Sequence, residues 1–119
     1  MRVVLVVEDD QDLLEILSEA LAVEGWRALR ARSTSSALRT ALSIGVDVVL
    51  TDLGMPNQDG RSLENAFKAD PVLKEIPFVF MTAAVRKVNE MTATRVLVKP
   101  FSISQAVAML QSSLPNGER

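Results

Sequence analysis

The 119-residue chain contains no cysteine and no histidine. The first absence excludes disulfides and thiolate nucleophiles, and the two together exclude zinc sites built from thiolate and imidazole. They also remove the commonest general base. A bound metal would have to be a hard cation held by oxygen, such as magnesium or calcium. Glycine and proline are modest at five each, and tryptophan occurs once. Apolar residues make up 48% and charged residues 24%, the balance of a folded chain and not of a disordered one. A net charge of -2 speaks against unaided binding of nucleic-acid phosphates, so no direct nucleic-acid contact is expected. No apolar run exceeds strand length, and the start lacks the charged-then-apolar layout of a secretory signal. No membrane span and a cytoplasmic location are therefore expected.

What is present is an alternation. Residues 3–7 (VVLVV) are short, apolar and β-branched, as in a strand covered on both faces. DLLEILSEALAVEG then spaces Leu13, Leu14, Leu17, Leu21 and Val23 as a helix does and stops at Gly25. The pattern repeats through RALRA, SSALRTALSIG, VDVVLT, SLENAFKA, IPFVFMT, RVLV and SQAVAMLQSSL. Five strands and four clear helices predict βα units around a parallel sheet with right-handed crossovers, in one domain. Residues 1–114 form that domain, and 115–119 (PNGER) read as a flexible tail. Between Thr82 and Lys99, once the strand near 95–98 is removed, little chain remains. The helix expected fourth in the alternation is therefore short or absent.

Ligands of open parallel sheets bind outside the carboxyl ends of the strands. There the chain places Glu8 and Asp9 after the first strand, Asp52 after the third, Thr82 after the fourth and Lys99 after the fifth. Three carboxylates against one ammonium leave excess negative charge in a partly dry place, which is costly. A divalent cation removes that cost, and oxygen-only ligands in an open, hydrated site favour Mg²⁺. A carboxylate beside such an ion and a lysine is a nucleophile for a phosphoryl group, and Asp52 is the candidate. Lys99 would stabilise charge on the transferring oxygens, and Thr82 would donate a hydrogen bond to the attached group.

These residues resemble the receiver domain of two-component response regulators, the CheY-like family. VVEDD is similar to its acidic pocket, TDLGMPNQDG to its phosphoacceptor segment, IPFVFMTA to its fourth strand and VLVKPF to its lysine-proline signature. The resemblance runs from about residue 1 to about residue 114 and implies a flavodoxin-like five-stranded parallel sheet in the order 2-1-3-4-5. It further implies phosphorylation of Asp52 by a sensor histidine kinase or a histidine phosphotransfer protein. Mg²⁺ would be held by Glu8, Asp9, Asp52 and the backbone carbonyl of Gly54. Thr82 and Lys99 would bind the phosphoryl group, and the Lys99-Pro100 peptide would be cis. Such a chain is a signalling phosphoacceptor that acts on itself alone and is no enzyme toward other substrates. Lacking histidine, it also cannot supply its own phosphohistidine.

Three departures from the family bear on function. Val96 stands where an aromatic usually precedes the lysine by three residues, so the usual coupling of threonine to aromatic is missing. The Thr82 to Lys99 interval is short, which argues against a dimer through the fourth helix, fifth strand and last helix. Gly54 and Ala84, two residues beyond Asp52 and Thr82, can neither block nor position a water. The first two keep open a different function, a docking module that binds its partner whatever the state of Asp52. A haloacid dehalogenase type phosphatase is disfavoured because Gly54 occupies the place of its second aspartate. A dinucleotide or flavin site is disfavoured because no glycine-rich loop follows the first strand.

Plainer roles are expected elsewhere. Asp10 and Ser33 read as helix N-caps, Asp59-Gly60 as a turn, and Trp26 and Phe101 as packing residues. Arg27, Arg30, Arg32 and Arg39 read as a solvated face.

Overall fold

The computed structural model describes residues 1–54, 60–83 and 95–115. In chain order these form β1 (Val3–Val7), α1 (Gln11–Val23), β2 (Arg27–Ala31), α2 (Thr34–Ser43), β3 (Val48–Asp52), α3 (Gly60–Lys68), β4 (Phe78–Thr82), β5 (Arg95–Val98) and a last helix, here α4 (Ile103–Ser113). All strand pairs are parallel, and the sheet order is β2-β1-β3-β4-β5. This is the doubly wound sheet that the alternation predicted. The stretch assigned a short or missing helix, 84–94, lies outside the described residues, as do Ala84, Asp59 and tail residues 116–119. Gly60, read from sequence as part of a turn, is the first residue of α3.

Alternation along buried strands sends side chains to both faces of the sheet. Val4, Val6, Leu50, Val79 and Met81 face α1 and α4, where Leu14, Leu21, Ala106 and Leu110 cover them. Leu5, Val7, Val49, Phe78 and Phe80 face α2 and α3, where Ala37, Ala41, Leu63 and Phe67 cover them. Each Val, Leu, Met or Phe side chain so removed from water stabilises the fold by roughly 1.5–3 kcal/mol. Phe101 is only half-buried against the first of these layers.

The helix ends follow from local chemistry. Leu13 N–H donates to Asp10 Oδ1 at 3.2 Å, and Ser36 N–H donates to Ser33 Oγ at 3.2 Å, so both predicted caps are present. Ser102 and Gln105 form a reciprocal capping box at the start of α4. α1 ends in a Schellman turn. Trp26 N–H reaches Leu21 O, Gly25 N–H reaches Ala22 O, and Gly25 takes φ 97°, a conformation that favours glycine. That turn delivers Trp26 into the core, below the Arg2 guanidinium 5.2 Å from its ring. Among the described residues, no helix is long and apolar enough to cross a membrane.

Candidate functional site

Each strand that carries a site residue is held in register beyond its formal end. Glu8 N–H donates to Ala31 O at 3.0 Å, Leu53 N–H to Met81 O at 2.9 Å, and Lys99 N–H to Thr82 O at 2.8 Å. The sheet ladder thus runs into the rim where the polar residues sit, and their main chains are as fixed as the strands. Glu8, Asp52 and Thr82 are buried, Asp9 and Lys99 partly so. All five predicted residues meet at the carboxyl rim, on the ends of β1, β3, β4 and β5.

The centre of the site is one ammonium between two carboxylates. Lys99 Nζ lies 3.1 Å from Asp52 Oδ2 and 3.2 Å from Glu8 Oε1. Asp52 Oδ1 accepts the Gly54 N–H at 2.9 Å, and Glu8 Oε2 accepts the Asp10 N–H at 3.2 Å. Burial raises the Glu8 carboxyl from 4.5 to about 7, helped by the neighbouring Asp52 charge and opposed by the Asp10 amide and Lys99. For Lys99, burial pushes the ammonium down, but its bonds to and attraction by Asp52 and then Glu8 outweigh this, and the net shift is upward. Lys99 therefore stays charged, while Glu8 is poised to take up a proton.

One carboxylate oxygen from each of Glu8, Asp9 and Asp52 falls within 4.8 Å of the others. Oxygens on opposite sides of a Mg²⁺ ion at 2.0–2.1 Å stand about 4.2 Å apart, so small side-chain adjustments suffice. The donors are all hard oxygens and carry more charge than Lys99 can neutralise, so the residues present fit Mg²⁺. A Cβ at Gly54 would stand 3.8 Å from Asp52 Oδ1, so among the described residues this position overlooks the carboxylate. The Lys99-Pro100 peptide is cis. Val96 is half-buried against the layer containing Phe78 and Phe80.

Three sets of contacts escaped the sequence. The arginines read as a solvated face are all exposed, and two of them also have partners: Arg30 pairs with Glu19 at 3.9 Å, and Arg32 bonds the Asp9 carbonyl and the Gln11 side chain. Neither pairing follows a helical or strand period, so nothing local signals it. Asp47 Oδ2 also accepts the Val3 N–H at 2.7 Å, fastening the start of β1 across the sheet.

Comparison with known proteins agrees with this geometry. The response regulator receiver domain matches residues 4–111. The chain is 28% identical to the phosphate regulon transcriptional regulatory protein PhoB of Pseudomonas aeruginosa, over 95% of this chain and 52% of that one. It is 32% identical to the transcriptional regulatory protein PrrA of Mycobacterium tuberculosis, over 93% and 49% respectively. The chain thus spans about half the length of these curated relatives. Chemotaxis protein CheY4 of Vibrio cholerae superposes with a TM-score of 0.85 at 27% identity, covering 96% of this chain and 99% of that one. The response regulator TrrA of Thermotoga maritima, solved in complex with Mg²⁺-BeF, superposes with a TM-score of 0.84 at 25% identity, covering 96% and 100%. With its five-stranded sheet and the acidic rim at its carboxyl end, the chain belongs to the family of response regulator receiver domains.

Proposed function

We propose that this receiver domain accepts a phosphoryl group on Asp52, in a Mg²⁺-dependent reaction, from a phosphohistidine of a sensor histidine kinase or phosphotransfer protein, and acts as a cytoplasmic signalling switch. The observation that carries the reading is the Lys99 ammonium bridging Asp52 and Glu8 in a rim whose three carboxylates converge. An Asp52 oxygen would form the bond to phosphorus as the donor's phosphorus–nitrogen bond breaks, the electron pair returning to the imidazole. Glu8, Asp9, Asp52 and the Gly54 carbonyl would hold Mg²⁺, which supplies charge neutralisation for the transferring oxygens. Lys99 would move its ammonium from the carboxylate to the attached phosphoryl group without losing its proton. Thr82, buried at the end of β4, would donate its hydroxyl to the same group. The Mg²⁺-BeF complex of the relative TrrA supports the metal assignment. The chain turns over no other substrate in this reading.

Val96 favours a second reading for the output. A half-buried valine packed on the core has no aromatic ring to swing when Thr82 moves. A docking module indifferent to phosphorylation would need none. Intact mass after incubation with acetyl phosphate or phosphoramidate and Mg²⁺ separates the two. Gain of one phosphoryl group by wild type, lost in Asp52→Asn and in EDTA, is the expected result. No gain by folded wild-type protein would leave the docking module as the better account.

A further inference from the structure

We propose that Arg32 is a positioning residue for the acidic pocket, clamping the main chain of Asp9 so that its carboxylate is presented to Mg²⁺. The inference rests on the metal-dependent reading above. The ladder between β1 and β2 ends with Glu8 N–H on Ala31 O. One residue further along each chain the connection continues through a side chain. Arg32 Nε and Nη2 both donate to Asp9 O, at 3.2 and 2.9 Å, and Nη1 donates to Gln11 Oε1 at 3.2 Å.

The three bonds join the end of β2 to the loop that carries the metal ligands and to the first residue of α1. On either side of Asp9 the loop is held by other means: Glu8 by the ladder, and Asp10 by its amide on Glu8 Oε2 and its side chain on Leu13 N–H. Arg32 secures the residue between them. Mg²⁺ tolerates little departure from octahedral geometry, so a ligand whose backbone drifts binds it poorly. A guanidinium puts two nitrogens on one oxygen and a third on a second acceptor, whereas a lysine ammonium cannot hold both acceptors in one plane.

Charge and geometry predict opposite signs here. As a bare positive charge beside the pocket, Arg32 would repel Mg²⁺, and removing it would tighten binding. As a clamp, its removal weakens binding, and lysine does not rescue it.

The test is a Mg²⁺ titration of wild type, Arg32→Ala, Arg32→Lys and Asp9→Asn by calorimetry, paired with ¹⁵N relaxation of the Asp9 to Gln11 amides in metal-free protein. We expect both Arg32 variants to keep the wild-type fold by circular dichroism, since the side chain is exposed. We expect each to lose about three- to tenfold in Mg²⁺ affinity and to show greater fast motion at Asp9 and Asp10. Wild-type or tighter Mg²⁺ binding by Arg32→Ala, or full affinity in Arg32→Lys, would overturn the clamp while leaving the pocket intact. A wild type that binds no Mg²⁺, or an Asp9→Asn that binds as wild type does, would instead overturn the metal reading and the clamp with it.

Discussion

Val7 and Glu8 are neighbours in sequence and almost equally buried, at 0% and 2% exposure, yet their burial has opposite effects. Val7 leaves water for an apolar layer and stabilises the fold. Glu8 leaves water for a place beside Asp52, and that burial, helped by the Asp52 charge, raises its pKa to about 7. The sheet body makes stability, and the rim one residue away gives some of it up by collecting charge where the proposed function puts a cation and a phosphoryl group. Enclosure alone therefore does not separate scaffold from site. The sign of its effect does.

The largest effect should come from the body. Phe80→Ala empties a fully buried position stacked on Phe78 and should cost about 3–5 kcal/mol in guanidinium unfolding, with or without Mg²⁺. A loss that Mg²⁺ could restore would blur the contrast between body and rim. Next is Lys99→Ala, which leaves two carboxylates facing each other. Allowing for a side chain 23% exposed, we expect a loss of roughly 2 kcal/mol at pH 8 in EDTA, and less at pH 6, where Glu8 takes up a proton.

Glu8→Gln should do the reverse. Because folding raises this carboxyl from 4.5 to about 7, the folded state binds the extra proton between those values. Stability is then fullest below about pH 4.5 for this group and falls as pH rises through 7. In EDTA at pH 8 the glutamine variant should be more stable than wild type by roughly 1–2 kcal/mol, with the gain vanishing near pH 5. A stability difference that does not change with pH would remove Glu8 from this role. The smallest effect belongs to neither region. Ser102→Ala removes the α4 capping box and should cost about 1 kcal/mol in thermal unfolding without altering Mg²⁺ binding.

Much of this contrast was legible beforehand. Apolar β-branched runs marked strands covered on both faces, and the polar residue closing each run marked the rim, because the apolar cover of the helices ends there. Asp10 and Ser33 were legible as caps because capping is a contact between near neighbours. By the same logic the Ser102 and Gln105 box could have been read from its spacing. Helix and strand ends fell within two residues of the sequence boundaries, the ordinary looseness of element ends.

What stayed hidden depends on distance through space. The strand ends put Lys99 on the same rim as Glu8 and Asp52, but nothing in the sequence said which carboxylates, 91 and 47 residues away, its ammonium would bond. Arg32 looked like any exposed arginine until the β1 and β2 pairing set it beside Asp9. The sequence by itself determined which segments form elements, which faces they bury and which chemistry collects at the strand ends, since those follow from local propensity and the alternation of apolar residues. Only the tertiary structure decided that one ammonium bonds two carboxylates, that Glu8 is pushed toward neutrality, and that an arginine just past β2 bonds the Asp9 carbonyl. Electrostatics and hydrogen bonding act over a few ångströms of space, whatever the separation along the chain.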